Sequence, residues 1–252
     1  MTSQHKLVLA TDLDGTFLEG DSQAKNFFYN ELQRLHEEVL LIYTTGRSIA
    51  TVQQFCKKGY LPHPHFVIGD HGTHIVDGVH FDPIASLQNP IIQNWNHRGS
   101  LLKELLREES GIQLQPINPP YRVAYYYDPA LLTHQTLEKI THAGCDFIQS
   151  CDMYLDILPR GVNKGSTLLN LLDHLKIDSE LVITSGDSLN DFYLFQTGLK
   201  SIAVSNSEPK LLEAIKKLNN VYPSEFPGLL GIIDGLQFYK QFQLFQETIP
   251  QS

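Results

Sequence analysis

The chain has few cysteines, no long apolar run and no excess of basic charge, and each shortage narrows what it can be. Three cysteines in 252 residues, Cys56, Cys145 and Cys151, form no Cys-x-x-Cys pair and leave an odd number. That pattern argues against a disulfide framework and suits a reducing compartment. No apolar stretch approaches the length of a bilayer span, and residues 1–6 lead straight into a short apolar run rather than a signal-peptide core. A cytoplasmic protein with no membrane contact is therefore expected. The net charge of -9 argues against broad, phosphate-neutralising contact with nucleic acid. Internal repeats, low-complexity tracts and long linkers are also lacking.

What is present has the rhythm of an α/β protein. Short runs rich in β-branched and other apolar residues recur at 7–10, 39–43, 66–68, 181–184 and 201–204, with helical patterns between several of them. Phe28, Leu32 and Leu35 follow helix spacing, as do Leu168, Leu172 and Leu175, and then Leu211, Ile215 and Leu218. Such alternation predicts an open, mostly parallel sheet covered by helices on both faces. The stretch from 76 to 154 breaks it, with prolines at 83, 90, 116, 119, 120 and 129, one helical pattern near 100–109, and strand-like runs at 122–127 and 154–158. These features predict an inserted α+β lobe over 79–159, with 1–78 and 160–252 forming the main lobe. The tail after Lys240 reads as a helix or a frayed end. A cleft between two lobes is a usual place for a ligand.

Asp12-Leu13-Asp14-Gly15-Thr16 stands at the end of the first apolar run. Two carboxylates two residues apart at a strand end point the same way, because side chains alternate with period two. One can attack an electrophile while the other manages the leaving group's proton, with a divalent cation relieving their repulsion. A surface turn would use the same residue types.

Three further stretches sit where an open sheet places its functional loops, beyond the carboxyl ends of strands or at the return from the insertion. Thr44-Thr45-Gly46-Arg47-Ser48 offers a hydroxyl and approachable N–H groups for phosphate oxygens, or simply a helix cap. Lys164, in Gly161-Val162-Asn163-Lys164-Gly165, can hold both a phosphoryl group and a carboxylate, though a lysine at a helix start is often only solvated. Gly186-Asp187-Ser188-Leu189-Asn190-Asp191 adds two carboxylates and an amide, hard oxygen ligands of the kind Mg²⁺ takes.

In this order the four stretches resemble the motifs of the haloacid dehalogenase superfamily of phosphohydrolases, and the resemblance spans nearly the whole chain. It implies a Rossmann-like core with a type IIB α+β cap. Leu41-Ile42-Tyr43-Thr44-Thr45-Gly46-Arg47-Ser48, Gly72-Thr73-His74-Ile75, Arg122-Val123-Ala124-Tyr125-Tyr126 and Leu155-Asp156-Ile157-Leu158-Pro159 resemble the sucrose-phosphate phosphatase branch. Leu189 replaces a glycine common in the superfamily, and Arg160-Gly161-Val162-Asn163 departs from the branch pattern. Mannosyl-3-phosphoglycerate and mannosylfructose-phosphate phosphatases look similar at this level, so the sugar stays open.

The resemblance implies Mg²⁺-dependent hydrolysis of a small sugar or disaccharide phosphate through an aspartyl-phosphate. Asp12 would be the nucleophile, Asp14 the acid and base, and Lys164 the neutralising cation. Thr45, Gly46, Arg47, Lys164 and Asn190 would serve the phosphate or substrate. Asp12, Asp14 through its carbonyl, Asp187 and Asp191 would serve the metal, with Asp191 either a ligand or an anchor. A phosphotransferase or mutase of the same superfamily, or a noncatalytic sugar-phosphate sensor, are the competing functions. Oligomeric state is not expressed in these motifs.

Other residues invite weaker readings. His63, His65, His71, His74 and His80 cluster in sequence but match no closed zinc motif. His71 and His74 are candidates to face substrate. Trp95-Asn96-His97-Arg98 and Tyr125-Tyr126-Tyr127 are candidates for sugar contacts, with strand alternation assigning half the tyrosines to the core. Arg160 and Asn163 are candidates for selectivity, or else an exposed hinge.

Overall fold

Every residue of the first strand, β1 (Leu7–Thr11), is buried, as a strand sandwiched between helical layers must be. The computed structural model describes residues 5–246. After β1 come α1 (Ser22–Arg34), β2 (Val39–Thr44), α2 (Ile49–Lys57), β3 (Phe66–Gly69) and β4 (His74–Asp77). A cap follows, built from α3 (Ala85–Trp95), α4 (Arg98–Leu105), β5 (Ile112–Leu114), β6 (Val123–Tyr127), α5 (His134–His142), β7 (Cys145–Ser150) and β8 (Tyr154–Pro159). The chain returns through α6 (Lys164–Leu175), β9 (Val182–Gly186), α7 (Phe192–Phe195), β10 (Lys200–Ala203), α8 (Pro209–Ile215), β11 (Val221–Pro223), α9 (Gly228–Phe238) and α10 (Gln243–Gln246).

The main sheet has the order β11-β10-β9-β1-β2-β3-β4, parallel except for β4. Alternation along β1 sorts the core into two layers. Leu7 and Leu9 join Phe28, Leu32, Val52, Leu229 and Ile232 on one face, while Val8 and Ala10 join Ile42, Leu168, Leu171 and Leu211 on the other. Each fully buried side chain of this size contributes about 1.5–3 kcal/mol. From β1 the chain proceeds outward to β2 on one side and receives β9 on the other. This reversal at β1 opens a crevice beyond its carboxyl end, the usual ligand position in such sheets.

The cap is a four-stranded antiparallel sheet in the order β5-β6-β8-β7. Trp95, Leu102, Val123, Tyr125, Tyr127, Ile140, Leu155 and Ile157 pack into its own core. Tyr126, opposite in the pleat, lies on the other face beside Tyr154, with ring centroids 5.9 Å apart. Strand alternation thus assigns the three tyrosines as expected. One sequence expectation changes here. Trp95 is a core residue, and Asn96 and His97 form a left-handed turn between α3 and α4, so this stretch serves the cap's helical layer rather than a sugar.

The histidine-rich stretch also has a structural member. His65 Nδ1 accepts the Leu41 N–H of β2 at 3.0 Å, and Nε2 lies 3.1 Å from the His36 carbonyl. Those roles define a neutral ring with its proton on Nε2. Burial, with smaller effects from His36 and His5, pushes the ring's pKa down from 6.5 to about 4. The unfolded chain therefore binds more protons between these values, and stability present above pH 6.5 is lost as pH falls toward 4. Partial exposure screens the contribution to about 1–2 kcal/mol. Urea unfolding at about pH 7.5 and about pH 5 should show wild type losing that much more than His65→Gln. Equal losses would contradict the assignment.

Candidate active site

The four loops identified in the sequence converge at the carboxyl end of β1. Asp12 leaves β1 with its N–H donated to the Ser185 carbonyl of β9, 3.0 Å, which locks the neighbouring strand ends together. Lys164 begins α6, whose start is fixed by a capping box between Asn163 and Ser166. Its side chain is 0% exposed. Lys164 Nζ donates to Asp12 Oδ1 at 2.7 Å and to Asp191 Oδ1 at 2.6 Å. The other Asp191 oxygen accepts the N–H groups of Asp187 and Ser188, at 3.1 and 3.2 Å. Both Asp191 oxygens are thus engaged by protein donors, the arrangement of an anchor. Asp187 Oδ1 accepts the Thr16 hydroxyl at 2.8 Å.

Oxygen atoms of Asp12, Asp187 and Asp191 lie within 4.8 Å of one another, and Lys164 is the cation bonded among them. Burial, then the neighbouring Asp191, raises the Asp187 carboxyl to about 7. Burial also raises Asp12 well above its ordinary range, with the Lys164 ammonium opposing and Asp191 and Asp187 adding to the rise. Burial alone would lower Lys164, but Asp12 and Asp191 outweigh it and hold the ammonium firmly protonated. Three crowded carboxylates against one ammonium leave negative charge in a dry place. A hard divalent cation fits this donor set, since it takes carboxylate oxygens and supplies the charge the site lacks.

Arg47 grips Asp14 in a bidentate pair, Nε to Oδ2 at 2.7 Å and Nη2 to Oδ1 at 2.6 Å. Arg47, a sequence candidate for the phosphate or substrate, is paired in the structure with an acidic neighbour. Thr45 is fully buried and its hydroxyl oxygen accepts the Arg47 N–H at 3.1 Å, with no acceptor for the hydroxyl proton among the described residues. Asn190 Oδ1 is buried without a partner among the described residues, a place where a ligand donor would be welcome.

A cavity of about 830 Å³ lies over these groups. Its floor includes Asp12, Asp14, Gly46, Asp187 and Asn190, and its roof includes Gln115, Asn118 and Tyr154 of the cap. Two candidates for selectivity are elsewhere. Arg160 donates to the Thr141 carbonyl at 2.6 Å and borders a separate cavity of about 630 Å³ lined by α3 and α6. Asn163 is occupied as the α6 cap. His71 does line the main cavity, whereas His74 stacks edge-on against Tyr121.

Sequence reasoning passed over one constellation. Arg122 of the cap is nearly buried between Asp70 of the main lobe, 3.1 Å from Nε, and Asp156 of β8, which pairs with Nη1. Arg122 and Asp156 lie in two of the stretches that carry the family resemblance, but no local pattern discloses their pairing, because the partners of Arg122 are 52 and 34 positions away.

The sequence matches the family described as sucrose-6F-phosphate phosphohydrolase over residues 5–240. It is 36% identical over 229 residues to the glucosylglycerol-phosphate synthase of Pseudomonas anguilliseptica, covering 90% of this chain and 30% of that protein. It is 29% identical over 226 residues to sucrose-phosphatase 1 of Nicotiana tabacum, covering 84% of this chain and 53% of that one. The chain thus spans about a third to a half of these relatives' lengths. The sucrose-phosphatase of Synechocystis sp. PCC6803, solved with sucrose and phosphate, superposes with a TM-score of 0.84 at 25% identity, covering 94% of this chain and 98% of that one. Among the described residues no helix is long and apolar enough to cross a membrane. The match over most of its length and the shared architecture lead to one conclusion: the chain belongs to the sucrose-6F-phosphate phosphohydrolase family and shares the fold of haloacid dehalogenase-like hydrolases.

Proposed function

We propose that this chain hydrolyses the phosphate monoester of a small glycoside phosphate, dependent on Mg²⁺ and by way of an aspartyl-phosphate on Asp12. The observation that carries the reading is the Lys164 ammonium held between Asp12 and Asp191, with Asp187 beside them, at the floor of a cap-covered cavity. Asp12 attacks the phosphorus in line, and the Lys164 ammonium bonded to its other oxygen orients it and offsets the charge gathering there. The Thr45 hydroxyl and the Gly46 N–H receive the nonbridging oxygens. Asp14 protonates the departing alkoxide and then takes a proton from the water that attacks the phosphorus and releases Asp12. For that role Asp14 must exchange its Arg47 partner for the leaving group, and both line the same cavity. Mg²⁺, held by Asp12, Asp187 and the Asp14 carbonyl, would supply charge neutralisation at the phosphoryl oxygens.

Gly15 offers a test of the metal assignment. It adopts φ +74°, and a Cβ there would lie 2.3 Å from Asp187 Oδ2. Gly15→Ala should displace Asp187, lower kcat by about 100-fold and raise the Mg²⁺ concentration needed for half-maximal rate. A Mg²⁺ titration of initial rate at saturating substrate reads both, and an unchanged half-saturation point would remove Asp187 from the metal site.

The substrate panel has sucrose 6-phosphate and glucosylglycerol phosphate at its head, the second because it is the product named for the Pseudomonas relative. Mannosylfructose phosphate follows, after the Agrobacterium fabrum mannosylfructose-phosphate phosphatase, 25% identical over 243 residues. Trehalose 6-phosphate and simple hexose phosphates complete the comparison. Stoichiometric phosphate release from one glycoside phosphate well above the hexose phosphates supports the proposal. Transfer of the phosphoryl group to a second hydroxyl would identify a mutase or phosphotransferase, and no turnover of any member would favour a sensor.

A further inference from the structure

Between β3 and β4 the chain turns through Asp70, His71 and Gly72, and this turn touches three parts of the site at once. The Asp70 N–H donates to the Arg47 carbonyl at 2.9 Å, and the His71 N–H donates to the Thr45 carbonyl at 3.1 Å. The His71 ring lies so close over Gly46 that a Cβ there would sit 2.5 Å from its Cε1. On the opposite side Thr167 Oγ1 of α6, one turn beyond Lys164, donates to the Gly72 carbonyl at 2.7 Å. Asp70 and His71 then present their side chains to the cap. Asp70 Oδ1 accepts Arg122 Nε at 3.1 Å, and His71 Nε2 lies 3.3 Å from Asp156 Oδ2. Arg122 completes the circle by bonding Asp156 through Nη1 and the Gly46 carbonyl through Nη2, the latter at 3.4 Å.

This junction is built at a cost that cohesion alone does not explain. Asp70 and His71 are consecutive non-glycine residues at φ 49° and 59°, a strained pairing that surrounding contacts must maintain. An arginine and two carboxylates are all nearly buried, and apolar residues of similar volume would generally bind two lobes together as well or better. The cap has other holds on the main lobe as well. Asp152 in the β7–β8 turn pairs with Lys210, and the Cys151 N–H reaches Glu208 at 3.2 Å. What the arginine adds is geometry, because its planar fork is fixed by one carboxylate from each lobe.

We propose that Arg122 is a positioning residue for phosphoryl transfer: with the cap seated, its guanidinium clamps Asp70 and Asp156 and thereby holds the Thr45–Gly46 loop where it grips the phosphoryl oxygens. The inference rests on the phosphatase reading for what the loop grips. It goes beyond that reading in making the phosphate site depend on the cap, so that the grip is complete only when the roof is in place. Closing the roof and completing the grip in one motion also keeps water from the site until substrate fills it.

The test compares Arg122→Gln, Arg122→Lys and wild type on the preferred glycoside phosphate and on p-nitrophenyl phosphate, whose leaving group carries no sugar for the cap to hold. Folding is verified by circular dichroism and melting temperature. Loss of the loop's register should lower kcat by about 100-fold on both substrates, while KM for the glycoside phosphate stays within about threefold. Orthovanadate, which occupies the phosphate site alone, should bind about tenfold or more weakly, and lysine should rescue little because it lacks the fork. A rise in KM for the glycoside phosphate alone, with aryl phosphate turnover intact, would mean that Arg122 holds the sugar and would overturn the proposal. So would folded variants whose constants all stay within about twofold of wild type. If the arginine variants fail to fold, Asp156→Asn, which preserves shape, takes their place and must lower kcat on both substrates and weaken orthovanadate binding; unchanged values overturn the proposal. Wild type that releases no phosphate from any substrate defeats the phosphatase reading itself. The coupling is then decided by calorimetric orthovanadate binding to wild type and variant, equal affinities counting against it.

Discussion

Asp12→Asn will lower kcat by about four orders of magnitude or more while leaving the protein folded. The amide keeps an oxygen for the Lys164 ammonium, which now sits 2.7 Å from Asp12 Oδ1, and Lys164 retains its second partner in Asp191. The fold therefore loses no buried bond outright. Chemistry loses its nucleophile, because an amide oxygen does not form a stable acyl phosphate that water can reopen. Initial rates of phosphate release, beside a melting curve within a few degrees of wild type, give the result. A variant with a tenth of the wild-type rate would remove Asp12 from the centre of the mechanism.

Lys164→Met carries the second large effect, and this one reaches stability as well as rate. Methionine resembles lysine in length and fits the same channel, so the change removes charge more than volume. Asp12 and Asp191, 5% and 0% exposed, would face each other with Asp187 nearby and no ammonium between them. Removing one partner of a buried charge cluster costs about 3–5 kcal/mol. For a chain of this size that corresponds to a fall in melting temperature of roughly 6–20 °C. Added Mg²⁺ should recover part of the loss, because a cation bound only by the folded state stabilises it. Turnover should fall by at least about 100-fold even at saturating Mg²⁺. A melting curve that matches wild type without metal would mean that the Lys164 ammonium does not hold this carboxylate cluster together.

Much of this site could be read from local sequence, for physical reasons visible in the individual residues. Asp12 and Asp14 stand out because a buried strand ends just before them, and strand endings fix direction. Thr45 and Asp187 stand out for the same reason at β2 and β9. Tyr125, Tyr126 and Tyr127 follow simple alternation, and the alternation assigns each to the face it occupies. Local signals fail where a residue's partners are distant or where a backbone duty competes. Asn163 looked free for substrate, yet its side chain is taken by the Ser166 N–H at the start of α6. Arg160 lies near Lys164 in sequence but turns to Asp146 and the Thr141 carbonyl of the cap. Trp95 has the composition of a sugar platform and the burial of a core residue. His65 belongs to a run of histidines that matches no closed zinc motif, and both its ring nitrogens serve backbone groups across 24 and 29 positions. The Asp70–His71 turn is the clearest case. Nothing in its composition distinguishes it from an ordinary surface turn, and its importance arises only when Arg122, Asp156, Thr45 and Gly46 are brought around it.

Mg²⁺-dependent phosphoryl transfer to Asp12 is the centre of the account, and one measurement reaches it directly. Wild type is mixed with its preferred glycoside phosphate and Mg²⁺, quenched in acid during steady turnover, digested and mapped by mass spectrometry. A phosphorylated peptide containing Asp12 is expected, absent when Mg²⁺ is chelated and absent in Asp12→Asn. Phosphate release at full rate with no phosphorylated intermediate, or with the phosphoryl group on a different residue, would contradict it.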